Sequence, residues 1–338
     1  MKSNMPSHVD PRHPVIRQEY GIFTPPVHAM AQTIGDWIDQ RQPGGYIYGP
    51  SRFGKSNGVR WHVRSILEDR FGRKIPLHIW SRPYDPQPTE GQFWQSVGLA
   101  FGHRYAKSRA TRADRRQSLK EFLIASAERS GGNYVVIVID EAQEMTYREW
   151  QWLLSLQNAL DMDGYRMSVF SIASHQMGYT YELLGRAEQA HVAARFMVAH
   201  WPFPGICGLD EVEYALRGYD ELSEWPEGSG TSFLAHFAPE AFAQGARLSP
   251  WSVTVWRVLD ALLPPHYEGE VSFPMQHLVR SVEELLMRAA RGAPWEEVTA
   301  EPSWLEVIAQ TGFTDHMRLI SASMPKRRGG RRASELRR

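Results

Sequence analysis

Residues 44–60 read "GGYIYGPSRFGKSNGVR", and this stretch decides the fold of the chain. A short hydrophobic run predicts a strand, which enters a loop bounded by Gly49 and Gly54 and ending in Lys55 and Ser56. The loop fits the pattern G-x-x-x-x-G-K-[ST], whose glycines let main-chain N–H groups close around phosphate oxygens. The lysine of the pattern reaches the β- and γ-phosphates, and the hydroxyl binds Mg²⁺. The stretch therefore predicts a nucleotide-binding loop between a strand and a helix.

A second motif, "VVIVIDEAQ" at residues 135–143, completes the predicted site. Its buried strand ends in Asp140 and Glu141, which should emerge at the carboxyl edge of the sheet, where ligands of open α/β folds bind. We expect Asp140 and Ser56 to hold Mg²⁺, and Glu141 to orient or deprotonate the attacking water. The competing interpretation, that the acidic pair only begins a helix, is the weaker one beside a phosphate loop. The candidate ATP contacts are Gly49, Pro50, Ser51, Arg52, Phe53, Gly54, Lys55, Ser56, Asn57 and Asp140.

Outward from these motifs, short β-type runs alternate with helical segments. The runs lie at residues 46–48, 76–80, 134–140, 167–174 and 195–203. Parallel strands need crossovers of about a dozen residues or more, and helices fill these gaps. The pattern predicts an α/β fold with a doubly wound parallel sheet of five strands.

Shifts in pattern divide the chain into four predicted parts. They are residues 1–43, an N-terminal arm and helix; residues 44–205, the nucleotide-binding core; residues 206–291, a small α-helical lid; and residues 292–338, a C-terminal extension with a basic disordered tail. The helix before the core carries apolar residues on one face, namely Val27, Met30, Ile34 and Ile38. After residue 204 no strong strand run is found, which favours helices in the lid.

Composition excludes several classes of protein. With 42% hydrophobic residues, 12 Trp, 13 Tyr and 14 Phe, the chain is typical of a folded globular protein. No run approaches the ~18 apolar residues that a membrane span needs, so we expect a cytoplasmic protein with no membrane partner. The single cysteine, Cys207, excludes a disulfide framework and a cysteine-rich zinc site, and we expect it in the core.

A glutamate beside the metal-binding aspartate indicates hydrolysis, and the motifs resemble those of AAA+ ATPases, whose sheet carries a small helical lid. Arg195 stands just before the last predicted strand, where those enzymes place an arginine finger directed at the neighbouring subunit's nucleotide; the alternative is an ordinary surface arginine. Arg247, in Gly-Ala-Arg ahead of a predicted helix, resembles the second sensor arginine. Ser174, at the end of the fourth strand, takes the first sensor position, which reports on the γ-phosphate. The alternatives are Arg257 for the second sensor, and His175 or Gln176 for the first.

The loop "GPSRFGKS" also resembles a particular branch of AAA+ proteins, the ATP-dependent DNA transposition regulators of the TnsC, TniB, IstB and MuB kind. Ser51 and Arg52 match the TnsC loop pattern G-x-S-R-x-G-K-[ST], whereas most AAA+ proteins carry glycine where Arg52 stands. The resemblance covers about residues 20–290, although only the nucleotide motifs are specific. It implies a bacterial, DNA-associated protein that assembles with ATP as rings or filaments on duplex DNA. It also implies two further partners, transposase subunits and a target-selector or adaptor protein.

In these regulators the DNA-contacting residues follow the second strand. Here that region is residues 101–116, which holds six basic residues between positions 103 and 116 against the single Asp114. The candidate phosphate contacts are Arg104, Lys107, Arg109, Arg112, Arg115 and Arg116. We expect them to bind DNA without sequence preference and with strong salt dependence. The alternative is a solvated helix face.

Other functions fit the same nucleotide motifs. A helicase loader or another protein-remodelling ATPase would share the site but need no surface for duplex DNA. A nucleotide-dependent scaffold would rarely hydrolyse ATP, and a small-molecule kinase would leave Glu141 and Arg195 without roles. The basic tail, residues 325–338, suits a flexible arm for DNA or a partner as well as a solubilising end.

Overall fold

The computed structural model describes residues 6–103, 110–186, 189–265, 267 and 271–323. Its first part alternates helices and strands. These elements are α1 (Pro14–Arg17), α2 (Pro25–Asp39), β1 (Gly44–Tyr48), α3 (Lys55–Gly58), α4 (Arg64–Phe71), β2 (Leu77–Ser81), α5 (Glu90–Ala100), α6 (Arg112–Arg129), β3 (Tyr134–Asp140), α7 (Tyr147–Met162), β4 (Arg166–Ala173), α8 (Gln176–Arg186), α9 (Ala190–Phe196) and β5 (Ala199–Pro202). A π-helical segment, Val59–Val63, joins α3 to α4 in one continuous helix.

The five strands form one parallel sheet in the order β2-β3-β4-β1-β5. Residues 135–139 of β3 and 167–173 of β4 are buried throughout, because helices cover both faces of the sheet. The predicted five-stranded parallel α/β sheet is confirmed. The order also places the end of β4 between the ends of β1 and β3, so the two nucleotide motifs flank β4 at the carboxyl edge.

Helix α2 packs over the helix that follows the phosphate loop. Val27, Met30 and Ile34 are buried, as predicted, and Ile38 is half-buried. A Cβ added to Gly58 would lie only 2.7 Å from Met30 Cε, so glycine is needed for this close approach. The contact fixes α2, and with it the arm that precedes it, against the nucleotide-binding loop.

The region before the last strand differs from the prediction. Residues 195–203 were expected to be extended, but the strand is confined to Ala199–Pro202, and helix α9 includes residues 195 and 196. The reason is the spacing of Val192, Ala193 and Phe196, which puts three buried side chains on one helical face. Arg195 therefore lies in the last turn of a helix.

A buried ion pair holds the carboxyl edge of the sheet. Arg82, just after β2, lies 2.8 Å from Glu149 at the start of α7, and both side chains are 2% exposed. The main-chain N–H of Arg82 donates to the carbonyl of Asp140, 2.9 Å away. The same glutamate accepts from Thr146 in a capping box, so α7, β2 and β3 are joined directly beside the site.

The chain after the sheet is helical, as predicted. The elements are α10 (Leu209–Arg217), α11 (Phe233–Phe237), α12 (Pro239–Ala243), α13 (Ser252–Ala261), α14 (Met275–Ala290), α15 (Trp295–Val298), α16 (Glu301–Gln310) and α17 (Phe313–Ser323). Trp304 and Ile308 of α16 are buried in the same core as residues of α13 and α14. The four domain boundaries stay predictions, and the basic tail lies outside the described residues.

The single cysteine corrects one expectation. Cys207 is exposed rather than buried, and its thiol lies 3.4 Å from the carbonyl of Pro204 in the loop after β5. The buried residue of this turn is the neighbouring Ile206, whose main chain forms an antiparallel β-bridge with that of Phe273. Across the described part of the chain, no helix is both long and apolar enough to cross a membrane.

Candidate functional site

The main cavity, of about 600 Å³, opens at the carboxyl edge of the sheet. Four parts of the chain line it: the N-terminal arm, the phosphate loop with its helix, the ends of β3 and β4, and the first turns of α14. Its lining includes Gln18, Tyr20, Ile22, Val27, Ser51, Arg52, Phe53, Gly54, Lys55, Ser56, Asn57, Asp140, Glu141, Gln143, Ser174, Gln176, Met275, Gln276, Val279, Arg280 and Glu283. The structure thus brings both sequence motifs to one cavity.

The phosphate loop has the backbone that its pattern requires. Gly54 has φ 109°, and Arg52 has φ 67°, a left-handed conformation that is uncommon for a residue with a side chain. The ammonium of Lys55 donates to the carbonyls of Gly49 and Pro50, at 2.9 and 2.6 Å. Burial lowers the pKa of Lys55 to about 8, and the negative charges of Asp140 and Glu141 oppose that shift.

Ser56 and Asp140 meet across the edge of the sheet. The Ser56 hydroxyl donates to a carboxylate oxygen of Asp140 over 3.0 Å, although the two residues are 84 positions apart. Burial raises the pKa of Asp140, and the hydrogen bond from Ser56 opposes the rise. Hard oxygen atoms of this kind, completed by phosphate and water, suit Mg²⁺. Among the described residues, no group of three or more His, Cys, Asp or Glu is arranged so that it could hold a metal ion.

Gln143, which was not among the predicted site residues, positions Glu141. The backbone of Glu141 is left-handed, with φ 58°. The amide of Gln143 donates to a carboxylate oxygen of Glu141 over 2.5 Å. The carbonyl oxygen of the same amide accepts from the main-chain N–H of Ser174, 3.0 Å away. Gln143 therefore links the expected water-activating carboxylate to the end of β4.

The first sensor position falls at the cavity wall. Ser174 lines the cavity, and its hydroxyl accepts from the main-chain N–H of Gln176, which also lines it. His175 is not among the lining residues; its ring packs edge-on against Tyr48. Burial lowers the pKa of His175, and the nearby charge of Lys55 lowers it further. Ser174 and Gln176 are thus the two polar side chains of this turn that face the cavity.

Neither candidate for the second sensor arginine lines the cavity. Arg247 is not among the residues lining the cavity; its guanidinium lies 3.9 Å from the centre of the Phe242 ring and donates to the carbonyls of Phe242 and Ala246. Arg257 is paired with Glu301 on α16. Apart from Arg52 of the phosphate loop, the arginine that lines the cavity is Arg280 on α14. The sequence could have indicated Arg280 by its spacing, because positions 276, 280 and 283 share one helical face.

Helix α14 also contacts the phosphate loop directly. The main-chain N–H of Gln276 donates to the carbonyl of Arg52, and the Arg52 guanidinium donates to the Gln276 side chain, both over 3.3 Å. A Cβ added to Gly54 would lie 3.6 Å from Met275. The unusual arginine of the loop is therefore the residue through which the loop meets the lid.

The far end of the cavity is apolar and suits a nucleobase. Ile22 of the arm, Val27 of α2 and Val279 of α14 line it. Tyr20 closes this end, because its hydroxyl donates to Glu283 over 2.7 Å and lies 2.9 Å from the Tyr219 hydroxyl. Burial raises the pKa of Tyr20 well above its usual value and also raises that of Glu283. A carboxylate here can accept a hydrogen bond from the amino group of adenine.

Arg195 does not reach the cavity of its own chain. It lies in the last turn of α9 and donates to the side chain of Asn158 on α7, 3.1 Å away. Its role as a finger toward a neighbouring subunit stays a prediction.

Half of the candidate DNA contacts can be located. Arg104, Lys107 and Arg109 lie outside the described residues. Arg112, Arg115 and Arg116 lie in the first turns of α6. Arg112 is 3.7 Å from Glu90 with its side chain 75% exposed, Arg115 donates to the carbonyl of Gly91, and Arg116 donates to Ser155.

Comparison with known proteins agrees with this geometry. Residues 38–176 match the AAA domain family, and this segment contains the phosphate loop, Asp140, Glu141 and Ser174. This segment is therefore similar to AAA domains, and the chain is an ATPase with a P-loop fold. No curated protein matches the sequence significantly.

Several solved structures are similar at a distance. The chain is 13% identical to the Aeropyrum pernix ORC1 protein in complex with DNA, over 87% of this chain and 86% of that one, with a TM-score of 0.42. It is 14% identical to the Aeropyrum pernix ORC2 protein in its ADP form, over 95% of each chain, with a TM-score of 0.44. For Drosophila ORC bound to AT-rich DNA and Cdc6 the identity is 9%, over 88% of this chain and 44% of that one, with a TM-score of 0.46. Nothing about function follows from resemblances this distant.

The lowered pKa of Lys55 predicts how nucleotide binding depends on pH. A bound phosphate needs the charged ammonium, but above pH 8 much of the free protein carries a neutral lysine. Binding must then take up a proton, so the Kd for ADP should rise above pH 8, approaching about tenfold per pH unit. Calorimetry between pH 7.5 and 9.5 measures this slope. Lys55→Met should bind more weakly with a flat profile, and an equal slope in that variant would rule Lys55 out as the cause.

The Gln143 bridge predicts a loss of turnover without a loss of binding. Gln143→Ala removes both hydrogen bonds, so Glu141 should lose its orientation and kcat should fall by about 10- to 100-fold. The KM for ATP should stay within about threefold, since Lys55 and the loop are untouched. Steady-state kinetics beside Gln151→Ala, an exposed glutamine on α7, checks this. A raised KM with unchanged kcat would assign Gln143 to binding instead.

Proposed function

We propose that this ATPase is a DNA transposition regulator. ATP binds between copies of the chain and orders an oligomer on duplex DNA, the oligomer recruits transposase subunits, and hydrolysis dismantles it. The proposal rests on the resemblance carried by Ser51 and Arg52 and, above all, on the arginines at the start of α6.

Those arginines stand where a helix by itself disfavours them. The first turn of a helix attracts negative charge, and a cation there costs roughly 0.3–1 kcal/mol. Helix α6 nevertheless begins with Arg112, followed by Arg115 and Arg116, with Asp114 as the acidic residue of that turn. The capping box of Thr111 and Asp114 already satisfies the helix end, so a DNA phosphate beside this turn would be bound by the guanidinium groups. This placement is the observation that favours a nucleic-acid contact over a solvated face.

The arginines also lie on the side of the molecule that nucleotide would control. Helix α6 ends just before β3 begins, so its last turn is at the amino edge of the sheet. The helix is 18 residues long, which corresponds to about 27 Å, so its first turn lies toward the carboxyl edge. The candidate DNA surface and the ATP cavity therefore belong to the same end of the sheet, where assembly driven by ATP would act on both.

The hydrolytic cycle uses the residues gathered at the cavity. Lys55 and the loop hold the phosphates, while Ser56 and Asp140 hold Mg²⁺, which stabilises the charge that develops on them. Glu141, oriented by Gln143, activates the attacking water, and Ser174 contacts the γ-phosphate. Arg280 takes the second sensor role expected of Arg247, because it faces the cavity from α14.

A second copy would complete the site. Arg195 is on the surface formed by α7 and α9, outside its own cavity, as a residue acting on a neighbouring subunit must be. An arginine supplied in this way is worth about 10³–10⁵ in rate. ATP turnover should therefore depend on oligomer formation, which in turn depends on DNA.

The remaining partners rest on the resemblance alone. Transposase subunits and a target-selector or adaptor protein are what a regulator of this kind would connect. A helicase loader would use the same nucleotide site without a duplex-binding surface. The arginines of α6 separate these two functions experimentally.

The proposal predicts binding to a random-sequence duplex only with ATP or a slowly hydrolysed analogue. Two double variants test the arginines of α6. The first combines Arg112→Glu with Arg116→Glu, and the control combines Arg148→Glu with Arg217→Glu, which lie elsewhere on the protein. Losing two phosphate contacts should reduce the log–log salt slope by about 2 and abolish stimulation of ATP turnover by DNA. Fluorescence anisotropy at several salt concentrations measures the slope.

The control pair should leave both quantities unchanged. If the two double variants show the same salt slope and the same stimulation of ATP turnover by DNA, α6 is excluded as the DNA surface. Absence of duplex binding in every nucleotide state, with ATPase activity intact, would favour the helicase-loader alternative.

A further inference from the structure

A second cavity, of about 400 Å³, lies at the opposite edge of the sheet, where the strands begin. Four segments converge on it: the end of α2, the connection from α4 to β2, the connection from α6 to β3, and the first residue of β4. Its lining includes Ile38, Arg41, Phe71, Arg73, Lys74 and Arg166. None of the nucleotide motifs is near it, and the ATPase reaction gives it no role.

The cavity is strongly basic. Arg41, Arg73, Lys74 and Arg166 all line it, and within the described ranges none of them has a carboxylate within 4 Å. The one acidic residue of the lining, Asp39, is bound to Arg70 at 2.7 Å. Four cations held around one concave surface repel one another, so an anion that enters gains attraction from all of them.

The floor of the same cavity is apolar. Ile38, Phe71 and Ile75 form much of it, with Pro76 and Ala127 beside them. A volume of about 400 Å³ is in the range of small-molecule sites, which combine an apolar lining with a few polar groups. This composition fits a ligand with both a ring or chain and negative charges.

Arg41 lies in the turn that ends α2. Its backbone is left-handed, with φ 53°. The main-chain N–H groups of Arg41 and Gln42 donate to the carbonyls of Ile38 and Trp37, each over 2.9 Å, which is a common way for a helix to end. The end of α2 therefore sets the position of Arg41 at the cavity.

We propose that the second cavity binds a small organic polyphosphate, with its planar or apolar part on the floor and its phosphates on the basic rim. Three of the four cations are arginines, whose planar guanidinium matches the oxygens of a phosphate in a bidentate way. A DNA duplex presents a convex, continuous backbone and would leave the apolar floor unused. Free phosphorylated ligands therefore fit this cavity better than nucleic acid. The proposal does not depend on the role in transposition.

The test uses adenosine 3′,5′-bisphosphate as the probe, because it joins a planar ring to two separate phosphates. ADP at saturating concentration first fills the ATP cavity of the full chain. Calorimetry then measures binding of the probe to the wild type and to Arg73→Glu, with Arg148→Glu on α7 as the matched control. A third variant, Gly132→Leu, fills the cavity without changing charge. It should fold, because an added Cβ would have Arg73 Nη1 as its nearest contact, at 3.9 Å.

We expect one saturable site that is weakened at least tenfold by Arg73→Glu and by Gly132→Leu. Arg148→Glu should bind the probe as the wild type does, and all variants should bind ADP equally in the first cavity. No saturable binding, equal weakening by Arg148→Glu, or no effect of Gly132→Leu would each overturn the proposal. Binding of an eight-nucleotide single strand that requires Arg73, without binding of the bisphosphate, would overturn it in favour of a nucleic-acid contact.

Discussion

The hydrogen bond between Ser56 and Asp140 is the contact on which the ATPase site depends. It joins two residues that are far apart in sequence and lie on opposite sides of β4. The strand order β2-β3-β4-β1-β5 brings the loop after β1 and the end of β3 to either side of β4, which ends just before Ser174. The buried pair of Arg82 and Glu149 then holds β2, β3 and α7 together beside it. A buried pair of this kind is costly to break, since a lone charge would be left in the core.

The cavity is closed by parts of the chain that lie outside the sheet. Tyr20 of the arm and Glu283 of α14 meet over the apolar end, while Arg52 and Gln276 join the loop to the same helix. A nucleotide in the cavity would therefore touch the arm, the sheet and the helical region at once. Such an arrangement lets nucleotide binding affect the relative position of three parts of the chain, which is what an assembly controlled by ATP requires.

The sequence predicted those parts of the site that are coded locally. The loop after β1 and the acidic pair after β3 each lie within a few residues of a recognisable strand, so their positions followed from the parallel sheet.

Arg280 could not be found in this way, because α14 reaches the cavity only through tertiary packing, and Arg52 and Gln276 are 224 positions apart. A local pattern favoured Arg247, whose guanidinium instead packs on Phe242. Gln143 is the last residue of the stretch 135–143, but its role was missed because it depends on two hydrogen bonds that form only in the folded chain. The second cavity was missed because its four cations come from three separate segments.

The central claim is that ATP at this edge of the sheet controls assembly on DNA. Mass photometry of the protein on a duplex with Mg²⁺ and ATP tests it most directly, using Glu141→Gln, which should bind but not hydrolyse, and Lys55→Ala, which should not bind. The account predicts persistent oligomers on DNA for Glu141→Gln, transient ones for the wild type and none for Lys55→Ala. Oligomers that are the same in all three proteins would contradict it.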